Sequence, residues 1–176
     1  MRILQFAIEL QECSEWCWAA VTAAVCKCYG DPAPAKQCEV ANLVLQLSTD
    51  NCTDCNCEHD PSAACNQPQN LASVLSLLNH DRGNPPDGLA ILQFDDVKSD
   101  IDDGHPVVVE ITLDDPAASG HAIAIYGYTD DGIVSIADPM HPDDTISVSF
   151  DDFVAGNQTG LHGKWKAAYR TKGANE

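Results

Sequence analysis

The segment QECSEWCWAAVTAAVCKCYG, residues 11–30, decides how the chain is read. Its first residues are polar and irregular. From Trp16 onward, helix formers run without a breaker to Tyr29. We therefore expect a helix over 16–29, with Ser14 near its N-cap and Gly30 at C′. Cys17 then falls in the first turn, where orphan N–H groups and the positive end of the helix dipole favour a thiolate. Two tryptophans flank it. Trp18 is expected to pack beneath the helix, and Trp16 to line the wall of a cleft.

Helical signals continue outward from this segment. Val40, Leu43, Val44 and Leu47 recur at helical spacing over 37–48, and Leu71, Val74, Leu75 and Leu78 do so over 69–79. Near residue 90 the character changes. LAILQF reads as a short strand, and DDVKSDIDDG as a helix capped by Asp95 and closed by Gly104. HPVVVEITL reads as a buried strand. GHAIAIYGYTDDGIVSIADP reads as two strands joined at Asp131-Gly132. DTISVSFDDF and GKWKAAYRT are two more. Helices followed by an antiparallel sheet make an α+β layout.

A thiol nucleophile needs a base. His121 begins the strand HAIAIYGY, and Gly120 before it removes a side chain where a substrate or thiol must come close. Asp138 ends the next strand. Antiparallel neighbours would set its carboxylate beside His121 and orient the imidazole through Nδ1–H. Gln11 stands upstream of the helix, and its amide could join the Cys17 N–H in an oxyanion hole. His105, His141 and His162 are read as surface or turn residues.

Q-x5-C-W-A-A, followed far downstream by G-H-A-I-x-I-x-G-Y and then D-P, resembles the papain-like cysteine peptidases. It is similar to a compact bacterial branch that includes effector proteases and the leader peptidases of bacteriocin exporters. QCEVAN, NQPQNLASVL and DDGHPVVVEI extend the resemblance over roughly residues 9–154. The resemblance implies one papain-like domain over 1–176, with a helical lobe at about 9–85, a sheet lobe at about 86–172 and the active site between them. It implies Cys17 as nucleophile, His121 as base and acid, Asp138 as orienting residue and Gln11 in the oxyanion hole. Substrate-binding residues would include Trp16 and Gly120. The expected reaction is hydrolysis of peptide or isopeptide bonds through a Cys17 thioester, with no cofactor. Transglutaminases and deamidases form the same thioester on protein glutamine, and some leader-peptidase relatives only bind peptide, so both alternatives stand beside it.

Lys plus Arg number 9 and Asp plus Glu 27, so the net charge is −18. That surface repels phosphate backbones and disfavours nucleic-acid binding. A protein or peptide substrate is what the resemblance implies, and the acidic surface could attract a basic inhibitor or immunity partner. No apolar run approaches the roughly 18–20 residues of a membrane span. MRILQFAIELQ has too short an apolar run for a signal peptide, so an export signal would have been removed, or the domain is delivered as an effector; a cytosolic home is the remaining option.

Nine cysteines are dense for a reducing cytosol and suggest a secreted or extracellular home. If eight pair, one is left free, and such a thiol is a candidate reactive group. The disulfide candidates are Cys13, Cys26, Cys28, Cys38, Cys52, Cys55, Cys57 and Cys65. Cys26 and Cys28 point to nearly opposite faces of one helix, so each should have its own partner. Zinc held by the Cys52–Cys65 segment, with His59, is the alternative there.

Overall fold

Val107–Leu113 (β2) and His121–Tyr128 (β3) are built from β-branched and small apolar residues, and they pair antiparallel in the middle of the sheet. We describe a computed structural model, over residues 1–47, 57, 63–113, 120–157 and 163–176. The remaining elements are β1 (Arg2–Ile3), α1 (Cys17–Tyr29), α2 (Gln37–Leu45), α3 (Leu71–Leu77), α4 (Phe94–Asp102), β4 (Ile133–Ala137), β5 (Ile146–Ser149), α5 (Phe150–Ala155) and β6 (Gly163–Arg170). The strand order is β5-β4-β3-β2-β6, with every pairing antiparallel. β1 adds to the end of β3 through Arg2–Tyr128 and Ile3–Gly127, opposite β4. This short N-terminal strand was not expected from the sequence. The α+β expectation of mixed helix and antiparallel sheet holds.

Side chains alternate across the sheet. Val108, Ala122, Ala124, Ala167 and Tyr169 face α1, α2 and α3. Val107, Val109, Ile111, Ile123, Ile125, Ile136 and Trp165 face α4 and α5. The period-2 pattern of β3 thus separates small from large residues. The alanines let α1 lie close on β3. α1 is itself buried from Trp18 through Cys26, so it is the central helix of its layer.

Local chemistry sets the helix ends. Gly30 takes φ 76°, and its N–H and that of Asp31 bond to the carbonyls of Lys27 and Cys26, a Schellman motif. The N-cap of α1 is Trp16 without a side-chain bond, not Ser14. Two strand expectations give way. LAILQF forms only an isolated bridge, Leu89 to Ala168, before α4 begins at Phe94. In DTISVSFDDF the strand stops at Ser149, whose hydroxyl accepts from the Asp152 N–H at 3.3 Å and starts α5. α4 is tied down by Asp100, whose buried carboxylate receives Arg82 Nη1 at 2.7 Å, Arg170 Nε at 2.7 Å and Arg170 Nη2 at 2.6 Å. No helix among the described residues is long and apolar enough to cross a membrane.

Cys13 and Cys57 form a disulfide, and Cys38 and Cys65 are also disulfide-bonded. Cys26 and Cys28 correct the sequence reading: both are free thiols, as Cys17 is. Cys26 is fully buried beneath the α1 C-terminus, and Cys28 is half-buried. Cys52, Cys55, His59 and His162 lie outside the described residues.

Candidate active site

Four sequence-predicted residues arrive at element ends. Cys17 opens α1, His121 opens β3, Asp138 follows β4, and Gln11 precedes α1. The β3–β4 register pairs Ala124 with Ala137, which sets the start of β3 near the end of β4. His121 Nε2 lies 2.6 Å from Asp138 Oδ1, with both side chains almost wholly buried. The Met140 N–H donates to the same carboxylate oxygen at 2.8 Å and fixes it. Cys17 lines the same cleft and interacts with the His121 side chain. The sequence reading had Nδ1 facing the carboxylate. Nε2 occupies that position, so Nδ1 is left for the thiol.

Burial alone would drive His121 towards neutrality. The hydrogen bonds to Asp138 and Cys17, with the adjacent negative charge, outweigh it and raise His121 to about 9. Asp138 moves the other way. Burial opposes its charge, but His121 and the Met140 N–H hold its carboxyl below the usual range. An imidazolium at neutral pH is the counter-ion a Cys17 thiolate requires.

Gln11 is held by its neighbours. Its N–H donates to the Pro139 carbonyl at 2.9 Å, which moors it beside the Asp138 turn. Its Nε2 donates to the carbonyls of Cys13 at 3.0 Å and Ser14 at 2.8 Å, while Oε1 is buried without a partner.

Cys17, Gly120 and His121 line a cleft of about 180 Å³. Gly120 takes φ 107°, a conformation glycine alone adopts without strain, and a Cβ there would come within 3.0 Å of Glu110 Oε1. Trp16 is a correction: it is 1% exposed, donates its Nε1–H to the Cys65 carbonyl at 2.9 Å and belongs to the core. Trp18, also 1% exposed, packs in the same core, as expected for it, with one edge on the cleft and its Nε1–H on the Gln67 carbonyl at 3.0 Å.

The sequence reading missed the opposite wall. Glu110 binds Lys166 Nζ at 2.7 Å and accepts from Tyr169 OH at 3.1 Å. Lys166 is an extra residue between two β2–β6 pairs, Glu110–Ala167 and Ile111–Trp165. That bulge turns it towards the cleft. With Glu15 and Asp87 also on the wall, carboxylates outnumber ammonium groups. His141 is exposed, in a turn through its N–H to the Asp138 carbonyl, as expected. His105 is not a surface residue: it is buried, with Nδ1 3.0 Å from Tyr29 OH.

A family model described as the Peptidase_C39 like family matches residues 3–172. No curated protein matches the sequence.

Proposed function

The chain belongs to the Peptidase_C39 like family, and from that premise we propose that it is a cysteine peptidase working through Cys17, His121 and Asp138. The observation that carries this reading is one imidazole, in the wall of a cleft, bonded to a thiol on one side and a buried carboxylate on the other. In this reading the Cys17 thiolate attacks a peptide carbonyl carbon, and the C=O electrons move onto oxygen. The Cys17 backbone N–H, an orphan donor of the first helical turn, stabilises that oxyanion. Collapse expels the amine, which takes the proton from His121 Nδ1. Water then attacks the thioester, giving its proton back to His121, and the thiolate leaves.

Gln11 is the second oxyanion donor in this proposal. Its amide now serves the Cys13 and Ser14 carbonyls, so substrate binding must turn it. We assign the helices of residues 9–85 and the sheet of 86–172 to the two lobes of one papain-like domain, with the cleft between them. The disulfide at Cys13–Cys57, with bonded Cys38 and Cys65, supports a secreted setting. The acid-rich cleft supports substrates with basic side chains.

The test is labelling of the non-reduced protein with iodoacetamide near pH 6, followed by peptide mapping. Cys17 should label fastest, His121→Ala should slow it, and Cys17→Ala should abolish peptide hydrolysis. Labelling no faster than free cysteine, or hydrolysis surviving Cys17→Ala, would sink the proposal.

A further inference from the structure

The far end of α1 holds a second grouping of thiol, carboxylate and imidazole, away from the cleft. Cys26, Asp31 and His80 bring one donor atom each to within 4.8 Å of one another. Cys26 and His80 are fully buried, and the Asp31 side chain is 17% exposed. Burial and the nearby Asp31 charge push the Cys26 thiol up to about 12, which makes it an unsuitable nucleophile in the free protein.

The backbone assembles this grouping deliberately. Asp31 is the residue after Gly30 in the Schellman motif that ends α1, with its N–H on the Cys26 carbonyl. His80 occupies the same position at the end of α3. Asn79 takes φ 59°, its N–H bonds to the Ser76 carbonyl, and the His80 N–H bonds to the Leu75 carbonyl at 2.8 Å. Two helix C-termini therefore converge, and the α1 dipole places its negative end there.

The imidazole is held as a metal-binding histidine is held. Its Nδ1 lies 2.9 Å from the Lys172 carbonyl, which can only accept, so Nδ1 carries the hydrogen. The Tyr29 ring stacks on the imidazole at 5.3 Å and fixes its plane. Nε2 is therefore the ring nitrogen turned towards Asp31. Nε2 is buried and has no hydrogen-bond partner, although Asp31 Oδ2 is 2.7 Å away. That short contact is a seat for a cation, either a proton on Nε2 or a metal ion shared with Cys26.

We propose that Cys26 Sγ, Asp31 carboxylate and His80 Nε2 bind a divalent zinc ion that pins the C-terminus of α1 to the turn after α3. One sulfur, one nitrogen and one oxygen suit zinc, with a water at the fourth position on the Asp31 side. Tetrahedral zinc sets its donors roughly 3.3–3.8 Å apart, so shifts of about an ångström complete the site. On binding, the Cys26 S–H bond breaks, the thiolate ligates the metal and the proton goes to solvent. Nothing in this site draws on the chemistry assigned to Cys17.

Cobalt is the probe, on protein carrying Cys17→Ser and Cys28→Ser with its disulfides intact, handled anaerobically without reductant. We expect a near-ultraviolet thiolate-to-cobalt absorption that saturates at one equivalent and is bleached by zinc. Adding His80→Gln should weaken cobalt binding at least tenfold, and adding Cys26→Ser should abolish the absorption. Wild-type protein should retain one zinc through gel filtration and melt at a higher temperature with it, which covers the case of a variant that fails to fold. A proton-only ion pair between His80 and Asp31 would give no absorption and no retained zinc, overturning the proposal. Zinc retained equally by Cys26→Ser would place the metal elsewhere and overturn it too.

Discussion

The bond between His121 and Asp138 makes the stability of the fold depend on pH in a way that one variant can isolate. In the unfolded chain His121 titrates near 6.5. In the folded protein burial presses it down, yet the bonds to Asp138 and Cys17 and the adjacent negative charge leave it at about 9. The folded state therefore holds the imidazolium proton more tightly than the unfolded state does. The resulting stabilisation is fully present below pH 6.5 and is lost as pH rises through 9. At about 1.4 kcal/mol for each pH unit, the difference amounts to about 3 kcal/mol. Asp138→Ala removes both the charge and the acceptor. His121 then keeps only the influence of Cys17 against burial, so less of the linkage remains. Asp138 itself stays ionised throughout this range in the wild type, so it adds no slope of its own. Urea unfolding followed by tryptophan fluorescence, on both proteins from about pH 6 to about pH 10, reads the gap directly. We expect the wild type's advantage to shrink across that range, by up to about 3 kcal/mol. Two stability curves that run parallel over those pH values would refute the assignment of an imidazolium to His121.

Three further outcomes follow from the same geometry. Gly120→Ala forces a side chain into φ 107° next to Glu110, so it should destabilise the protein by about 1–3 kcal/mol and lower kcat more than it raises KM; calorimetry and steady-state kinetics check both. Asp100→Ala strands two guanidinium groups against a vacated buried site, and urea titration should show a loss of about 3–5 kcal/mol. Peptides carrying Lys or Arg should show higher kcat/KM than acidic ones, because Glu15, Asp87 and Glu110 line the cleft, and that preference should fade with added salt; a salt-independent preference for acidic peptides would contradict it.

Much of the framework was legible because it is written locally. The Asp131-Gly132 turn, the β-branched run of β2 and the Gly30 stop each carry their own signal. The relation of His121 to Asp138 was legible because two antiparallel strands joined by a tight turn must bring the start of one near the end of the other. Elsewhere the deciding contact is one that hydrophobic alternation does not show. SVSF alternates like a strand, and only the Ser149 hydroxyl on the Asp152 N–H ends it at the helix. Leu89 touches β6 once, and the chain then bends into α4 because Gln93 and Asp96 cap it reciprocally. Cys26 was paired on the arithmetic of cysteines, whereas its surroundings are Asp31 and His80, contributed by two separate helix ends. The choice of Nε2 over Nδ1 on His121, and of Trp18 over Trp16 at the cleft, depends on orientations that residue spacing does not encode.

The strand order has a consequence for a chain still being made. Cys17 leaves the ribosome early, on a helix whose natural seat is the alanine face of β3 and β6. β2, which separates those two strands in the sheet, gains its outer neighbour only with β6, the last strand synthesised. Through most of synthesis the thiol is therefore without His121, and until the final strand closes the sheet that seat is incomplete. In the reading advanced for Cys17, its chemistry waits on the order of translation.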